Sequence, residues 1–376
     1  MPNGQQGSYT NTVPQKRVVT DRILLTDPNE IATISVLGLD NSSKFQFANP
    51  PGRQYEWLEQ RYNTTTLTAT ASGLDASSVT TTMSVADGTL VNIGDLLLLD
   101  SEVVHVTGIS TNTLTIVRNV SGTQATHHTS TVAISVVGNA RIEGADANDS
   151  PYTLVTSGTN YSQILQRSVE VTATDEIIKR YGIPSLVDRE IDMRMDELKQ
   201  LLARLPYYGG RTVGTASTAR MAGGWDTFIT TNLTTLSGSP ALSQKHLEDA
   251  VEDAWSYGGK PTTLFTNSWG KRKIAAMFEG SVRTERSEEM GGVTIEKVLT
   301  SLGITLNVVV DRFCPSNKVY LIDREKTGYI TLRDFFYEDL AKTGDTAANG
   351  QIVGEYGFVC AAEKHHAIIS GFSTSI

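Results

Sequence analysis

The groups in this sequence that could do chemistry are six histidines, two cysteines and a scatter of carboxylates and hydroxyls. His365 and His366 are adjacent, as are His127 and His128. Neighbours in a strand point to opposite faces, which is poor geometry for one metal ion, and neither pair has an acidic or sulfur partner at ligand spacing. Both pairs read as surface or internally satisfied histidines. Cys314 and Cys360 offer neither a disulfide framework nor a zinc spacing and read as reduced thiols. There is no GxxxxGK[ST] phosphate cradle. AKTGDTAANG, residues 341–350, places its Lys and Thr before the glycine and outside a strand-to-helix turn, so it reads as an exposed loop. No GxSxG elbow presents a nucleophile. A hydrolase using His365 or His366 is the only enzyme alternative, and no catalytic, cofactor-binding or metal-binding residue is assigned.

With no chemistry to place, the elements carry the information. At 376 residues, 39% hydrophobic and 19% charged, the chain can form two or three globular domains. A net charge of −9 disfavours a protein that coats nucleic acid by neutralising phosphates. MPNGQQGSYTNTVPQKRVV has no apolar signal core, and no apolar run approaches a membrane span, so a soluble product made in a cytoplasm is expected.

The strongest helical pattern lies in TDEIIKRYGIPSLVDREIDMRMDELKQLLARLPYYGG, residues 174–210. From Ile191 the apolar residues fall at Met195, Leu198, Leu202 and Leu205, steps of four and three that keep one thin stripe along a helix. Glu190 with Arg194, and Asp196 with Lys199, are spaced for ion pairs on the outer faces. The stripe is too short for a coiled coil, so this helix is expected to lie as a spine across a sheet. LSQKHLEDAVEDAWSYGGK predicts a helix with Ser243 as N-cap, Leu247, Val251, Ala254 and Trp255 as its buried face, and Gly258 and Gly259 as its stop. TTLFTN then predicts a buried strand and SWGKRKIAAMF another helix; SVRTERSEEMGG, residues 281–292, reads as a solvated loop. ITLNVVVDRF, KVYLIDRE, GYITLRDF, EYGFVCAAE and HHAIISGF predict strands, making the chain α+β.

Residues 64–138 differ from their surroundings: they contain no Phe, Tyr, Trp or Lys, a single arginine (Arg118) and seventeen threonines. Within TLVNIGDLLLLDSEVVHVTGISTNTLTIVRNV, three β-rich runs separated by GD, GIS and STN predict an antiparallel sandwich or barrel without a helix. GRQYEWLEQRYN and AISVVGNARIEG, on either side, read as extended, so the module is expected to be inserted at the tip of a two-stranded excursion.

The order of these parts resembles the major capsid, or major head, proteins of tailed bacteriophages with the Hong Kong phage-type fold. ILLTDPNEIATISVLG followed by YEWLEQRYN resembles that family's approach to its extended loop, and GTNYSQILQRSVEVTATDEIIKRYGI looks like the return. Residues 188–205 take the place of the family's long spine helix. VYLIDREKTGYITLRDF and YEDLAKTGDTAANGQIVGEYGFVCAAEKHHAIISGF look like its closing strands. The resemblance implies an N-terminal arm and lead-in over 1–51, and extended-loop strands over 52–63 and 139–165 around a β-module at 64–138. It further implies a peripheral domain over 166–237 and 313–376 with its spine at about 185–205, and an axial domain over 238–312.

The implied function is a non-enzymatic structural one: copies assemble as hexamers and pentamers into an icosahedral shell around double-stranded DNA. The implied location is the virion, after synthesis in the bacterial host cytoplasm. Implied partners are the portal, decoration and scaffolding proteins and, non-specifically, the packaged DNA; no cofactor or membrane is implied. Arg53, Glu56, Glu59, Arg61, Arg141 and Glu143 on the loop are expected to contact neighbouring subunits. One departure from the family stands out: residues 45–178 contain no lysine, so a loop-borne crosslinking lysine is missing. Non-covalent stabilisation is expected instead. The arm, residues 1–20, holds Lys16 and Arg17 and no acid, which suits it to lie near DNA or a neighbour's acidic edge. The threonine-rich module suggests the rival reading, a β-rich decoration or adhesin protein.

Overall fold

The computed structural model of the chain describes residues 31–47, 52–60, 62, 66–69, 81–123, 127–128, 132–146, 155–180, 182–278, 296–341 and 347–374. The 281–292 loop and the arm before residue 31 lie outside the described residues. Two compact units divide the chain, one made of residues up to Trp57 and from Gly158 onward, the other Leu58–Ser157.

The chain passes through α1 (Ala32–Leu37) and β1 (Gln54–Glu59), then through β2 (Thr66–Thr68), β3 (Thr82–Ser84), β4 (Asp95–Leu99), β5 (Glu102–Ser110), β6 (Thr113–Val117) and β7 (Ala133–Asn139). It returns by β8 (Thr156–Tyr161), which pairs with β1, and β9 (Gln163–Thr172). Next come α2 (Ala173–Ile177), α3 (Leu186–Tyr208), α4 (Trp225–Phe228), β10 (Leu233–Thr235), α5 (Gln244–Ser256), β11 (Thr263–Thr266) and α6 (Ser268–Phe278). Strands close the chain: β12 (Glu296–Leu299), β13 (Thr305–Val310), β14 (Lys318–Ile322), β15 (Thr327–Asp339), β16 (Ala347–Cys360) and β17 (Ala367–Ser370).

In the first unit, β9 and β15 flank β16 in an antiparallel three-stranded sheet. α3 lies across it. Leu198, midway along the stripe, packs on Val169 and Val171 of β9 and Ile352 of β16, while Leu202 and Leu205 enter a second core with Trp225 and Phe358. Ser185 caps the helix, its Oγ accepting from the Asp188 N–H at 3.2 Å. On the outer faces Glu190 meets Arg194 at 3.2 Å and Asp196 meets Lys199 at 3.6 Å. The helix continues through Pro206, which has no N–H to donate to the Leu202 carbonyl. The Tyr329 hydroxyl donates to that carbonyl instead, at 3.2 Å, so a side chain of β15 replaces the missing helical bond.

A six-stranded mixed sheet in the order β10-β17-β14-β11-β13-β12 completes the unit. Its residues alternate between two apolar layers. Leu264, Val308, Leu321 and Ile369 face α5 and α6, whereas Phe265, Val309, Tyr320 and Ile368 face Trp225 and Tyr207. Covering on both faces explains why β11 is apolar at successive positions. Ser243 caps α5, and Leu247, Ala250, Val251 and Ala254 form its buried face. Trp255 does not join them and is 53% exposed. One residue on from Ala254 means about 100° around the helix, which carries the ring past the edge of the stripe.

In the Leu58–Ser157 unit, six antiparallel strands run in the order β2-β7-β4-β5-β6-β3. An Ala69–Val85 bridge and an Ala86 N–H to Thr68 carbonyl bond of 3.1 Å join the two edges and close the sheet into a barrel. Leu97, Leu99, Val104, Val106, Leu114 and Ile116 fill it. Two sequence expectations need correction. AISVVGN is β7, a barrel strand paired with both β2 and β4, because Ile134 alternates into the core. Gly108 of GIS lies within β5, at a register shift between Val106 and Gly108, and the turn comes at Thr111 and Asn112.

Candidate assembly site

His366 is buried, its Nδ1 accepting from the Asp323 N–H and its Nε2 donating to the Ala361 carbonyl, each at 3.1 Å. Burial lowers its pKa from the ordinary 6.5 to about 4, so the ring stays neutral. His365 Nδ1 lies 4.0 Å from an Asp323 carboxylate oxygen. These histidines are not in a strand, as the alternation argument assumed: His365 ends a single helical turn at Glu363–His365. Ala362, left-handed at φ 52°, turns the chain into it before β17 begins. Cys314 and Cys360 are buried and form no disulfide, and burial pushes the Cys314 thiol well above its ordinary pKa. Among the described residues no group of three His, Cys, Asp or Glu is arranged to hold a metal.

His127 is exposed and His128 buried. The ring nitrogens of His128 face Asp100 Oδ2 at 2.9 Å and Glu102 Oε2 at 3.0 Å. Glu102 is also gripped by Arg118, Nε to Oε1 at 2.9 Å and Nη2 to Oε2 at 2.6 Å, with both side chains fully buried. Spacing rules miss this network because its members lie 16 and 26 residues apart in sequence. The available signal was Arg118, the lone arginine of a module that contains no lysine.

A second buried carboxylate fixes the start of the described chain. Asp311 accepts from the Thr33 N–H at 3.3 Å, the Thr33 hydroxyl, the Tyr207 hydroxyl at 3.2 Å and the Phe313 N–H at 2.8 Å. α1 is thereby tied to the end of α3 and the end of β13. The close approach of β1 to β8 depends on Gly158, where a Cβ would collide with the Trp57 ring.

The charged residues expected on the loop lie mostly at the surface. Arg53 and Glu56, in the first unit, are exposed, and Gln54 donates to Glu56 at 2.8 Å. In the other unit Arg141 and Glu143 are exposed and Glu59 is half-buried. Arg61 lies outside the described residues. On α3 the exterior pairs continue into Arg167 of β9, 3.6 Å from Glu197.

The sequence matches the family described as SU10 major capsid protein over residues 3–373. The chain belongs to that family. A capsid protein is structural, not enzymatic: copies assemble into a shell, and its place is the virion. The hydrolase and decoration-protein readings give way to it. Among solved structures, the capsid of Myoviridae phage XM1 is similar over 95% of this chain and 97% of its own, at 10% identity and a TM-score of 0.50, which shows the fold. A structure of Mycobacterium phage Bobi covers 97% of this chain and 98% of its own at 9% identity and a TM-score of 0.49. The capsid of an empty GTA particle covers 98% of each chain at 9% identity and the same score. No curated protein matches the chain.

Proposed function

We propose that this chain forms the icosahedral head of a tailed bacteriophage around double-stranded DNA, with subunits joined non-covalently as hexamers and pentamers. The family match over residues 3–373 carries the reading. In this proposal residues 1–51 are the arm and lead-in, 52–63 and 139–165 the extended loop, and 64–138 a β-module carried on it. Residues 166–237 and 313–376 form the peripheral domain with α3 as spine, and 238–312 the axial domain. A compact barrel with its own aliphatic core supports the modular part. The subunit is made in the host cytoplasm, meets a portal and, where the phage encodes them, scaffolding and decoration proteins, and touches DNA non-specifically through Lys16 and Arg17.

The proposed loop's chemistry supports non-covalent closure: an isopeptide bond needs an amine, and residues 45–178, which include that loop, offer no lysine. Arg53, Glu56, Glu59, Arg61, Arg141 and Glu143 are proposed intersubunit contacts, each exposed pair adding about 0–1 kcal/mol that sums over many copies. Boiling purified particles in detergent tests this directly. A single band near 40.8 kDa and nuclease-resistant DNA before boiling are expected; a ladder of covalent multimers or DNA-free mature particles contradicts the reading.

A further inference from the structure

α5 and α6 lie on one face of the six-stranded sheet, α5 against β17 and α6 against β11 and β13. In strand order β17 is next to the β10 edge and β13 next to the β12 edge, so the helices occupy opposite flanks of that face. Their outward surfaces have opposite sign. On α5, Glu252 and Asp253 are exposed and form no ion pair among the described residues. Trp255, one turn from Glu252, is also exposed and offers an aromatic face to a cation. α6 contains no acid. Arg272 is exposed and Lys273 half-buried, neither in an ion pair among the described residues, and exposed Ala275 and Ala276 leave room for close approach.

Two unlike, mutually complementary patches on opposite flanks are what a head-to-tail contact requires, and repetition of such a contact closes a ring. We propose that Arg272 and Lys273 of one copy dock on Glu252, Asp253 and Trp255 of a second copy, with the Arg272 guanidinium paired to Glu252 and lying over Trp255. The inference rests on the axial placement of residues 238–312 proposed above and names the residues that join neighbours there. The α5 flank needs a cation and an apolar plane together, which favours arginine over lysine at its centre. The α5 and α6 stripes are buried in the sheet core, while Glu252, Asp253 and Arg272 lie on the exposed faces.

Charge reversal tests the contact in the full chain. Glu252→Lys/Asp253→Lys and Arg272→Glu/Lys273→Glu should each lower the assembled fraction in sedimentation by roughly tenfold or more at about 0.15 M salt. The variant carrying all four changes should recover assembly, since both flanks are reversed together. Far-UV circular dichroism and tryptophan fluorescence report whether each variant folds. If a reversed variant does not fold, Glu252→Gln/Asp253→Asn replaces it, with weaker assembly and a flatter salt dependence expected. Assembly of the reversed variants at the unaltered level, failure of a folded four-change variant to recover, or an unchanged salt dependence in the neutral variant overturns the contact. An unaltered chain that forms no assembly counts against the shell reading itself, a result distinct from the equal assembly of all variants.

Discussion

In the first unit Trp225 is ringed by Tyr207, Phe265, Tyr320 and Phe358 at centroid separations between 5.0 and 5.7 Å. In the barrel the core is Leu, Val, Ile, Met and Ala, with no aromatic ring. The difference follows from what each core must fill. Helix ends, a four-residue helix and two sheets leave an irregular space in the first unit, which large planar groups fill and tie together through polar edges, as Tyr207 does with Asp311. A closed barrel of alternating strands presents layers of equal depth, which branched aliphatic side chains fill best. Polar burial differs in the same way. Asp311 is held by hydroxyls and backbone N–H groups, whereas Glu102 is held by a guanidinium and an imidazole.

Replacing the centre of each core separates the two. Trp225→Ala should cost about 3–5 kcal/mol. All four tryptophans belong to the first unit, so fluorescence-detected denaturation reads that unit alone; an unshifted midpoint would refute the role given to the ring cluster. Glu102→Ala strands Arg118 in the barrel and should cost about 3–5 kcal/mol, visible by circular dichroism while the tryptophan transition stays put. Glu102→Leu/Arg118→Met should regain most of that loss. If the double variant is as unstable as the single one, the ion pair does more for the barrel than hold its own charges.

Acid should act on the first unit through His366. In the unfolded chain the ring takes a proton near 6.5, in the folded one only near 4. Stability is therefore full above pH 6.5 and falls as pH drops through 6.5 towards 4, by about 3 kcal/mol at about 1.36 kcal/mol per pH unit. His366→Gln should show a flatter pH profile of the fluorescence midpoint over that window; equal slopes would dismiss the histidine as the source. The smallest effect belongs to the spine's exterior, where Glu190→Ala should cost about 0.3–0.5 kcal/mol and less at high salt. A loss of several kcal/mol in the isolated subunit would mean that this face is not simply solvated.

Much of the first unit was legible because its periodicities are local. The stripe through Leu198 and Leu202 and the cap at Ser243 are each written within one or two turns of chain. The packing of Trp225 under two sheets is not local, nor is the rescue of Pro206 by Tyr329, since both join residues far apart in sequence. Trp255 is apolar in type, but its angle on the helix puts it outside the stripe, so residue type alone does not report its exposure. His365 and His366 were misplaced because a left-handed Ala362 cannot be read from residue type. In the barrel, composition set the module apart, but the Glu102–Arg118–His128 network depends on which strands become neighbours. Of the loop residues offered as contacts, the exposure of the charges at Arg53, Glu56, Arg141 and Glu143 follows from polarity alone; the partners proposed for them are on other copies, which one sequence does not display.

Electron microscopy of the purified chain tests the central claim most directly. Closed shells built of many copies, with five- and six-membered clusters on their surface, are the expected result; a chain that stays monomeric or stops at a trimer under all assembly conditions would contradict the account.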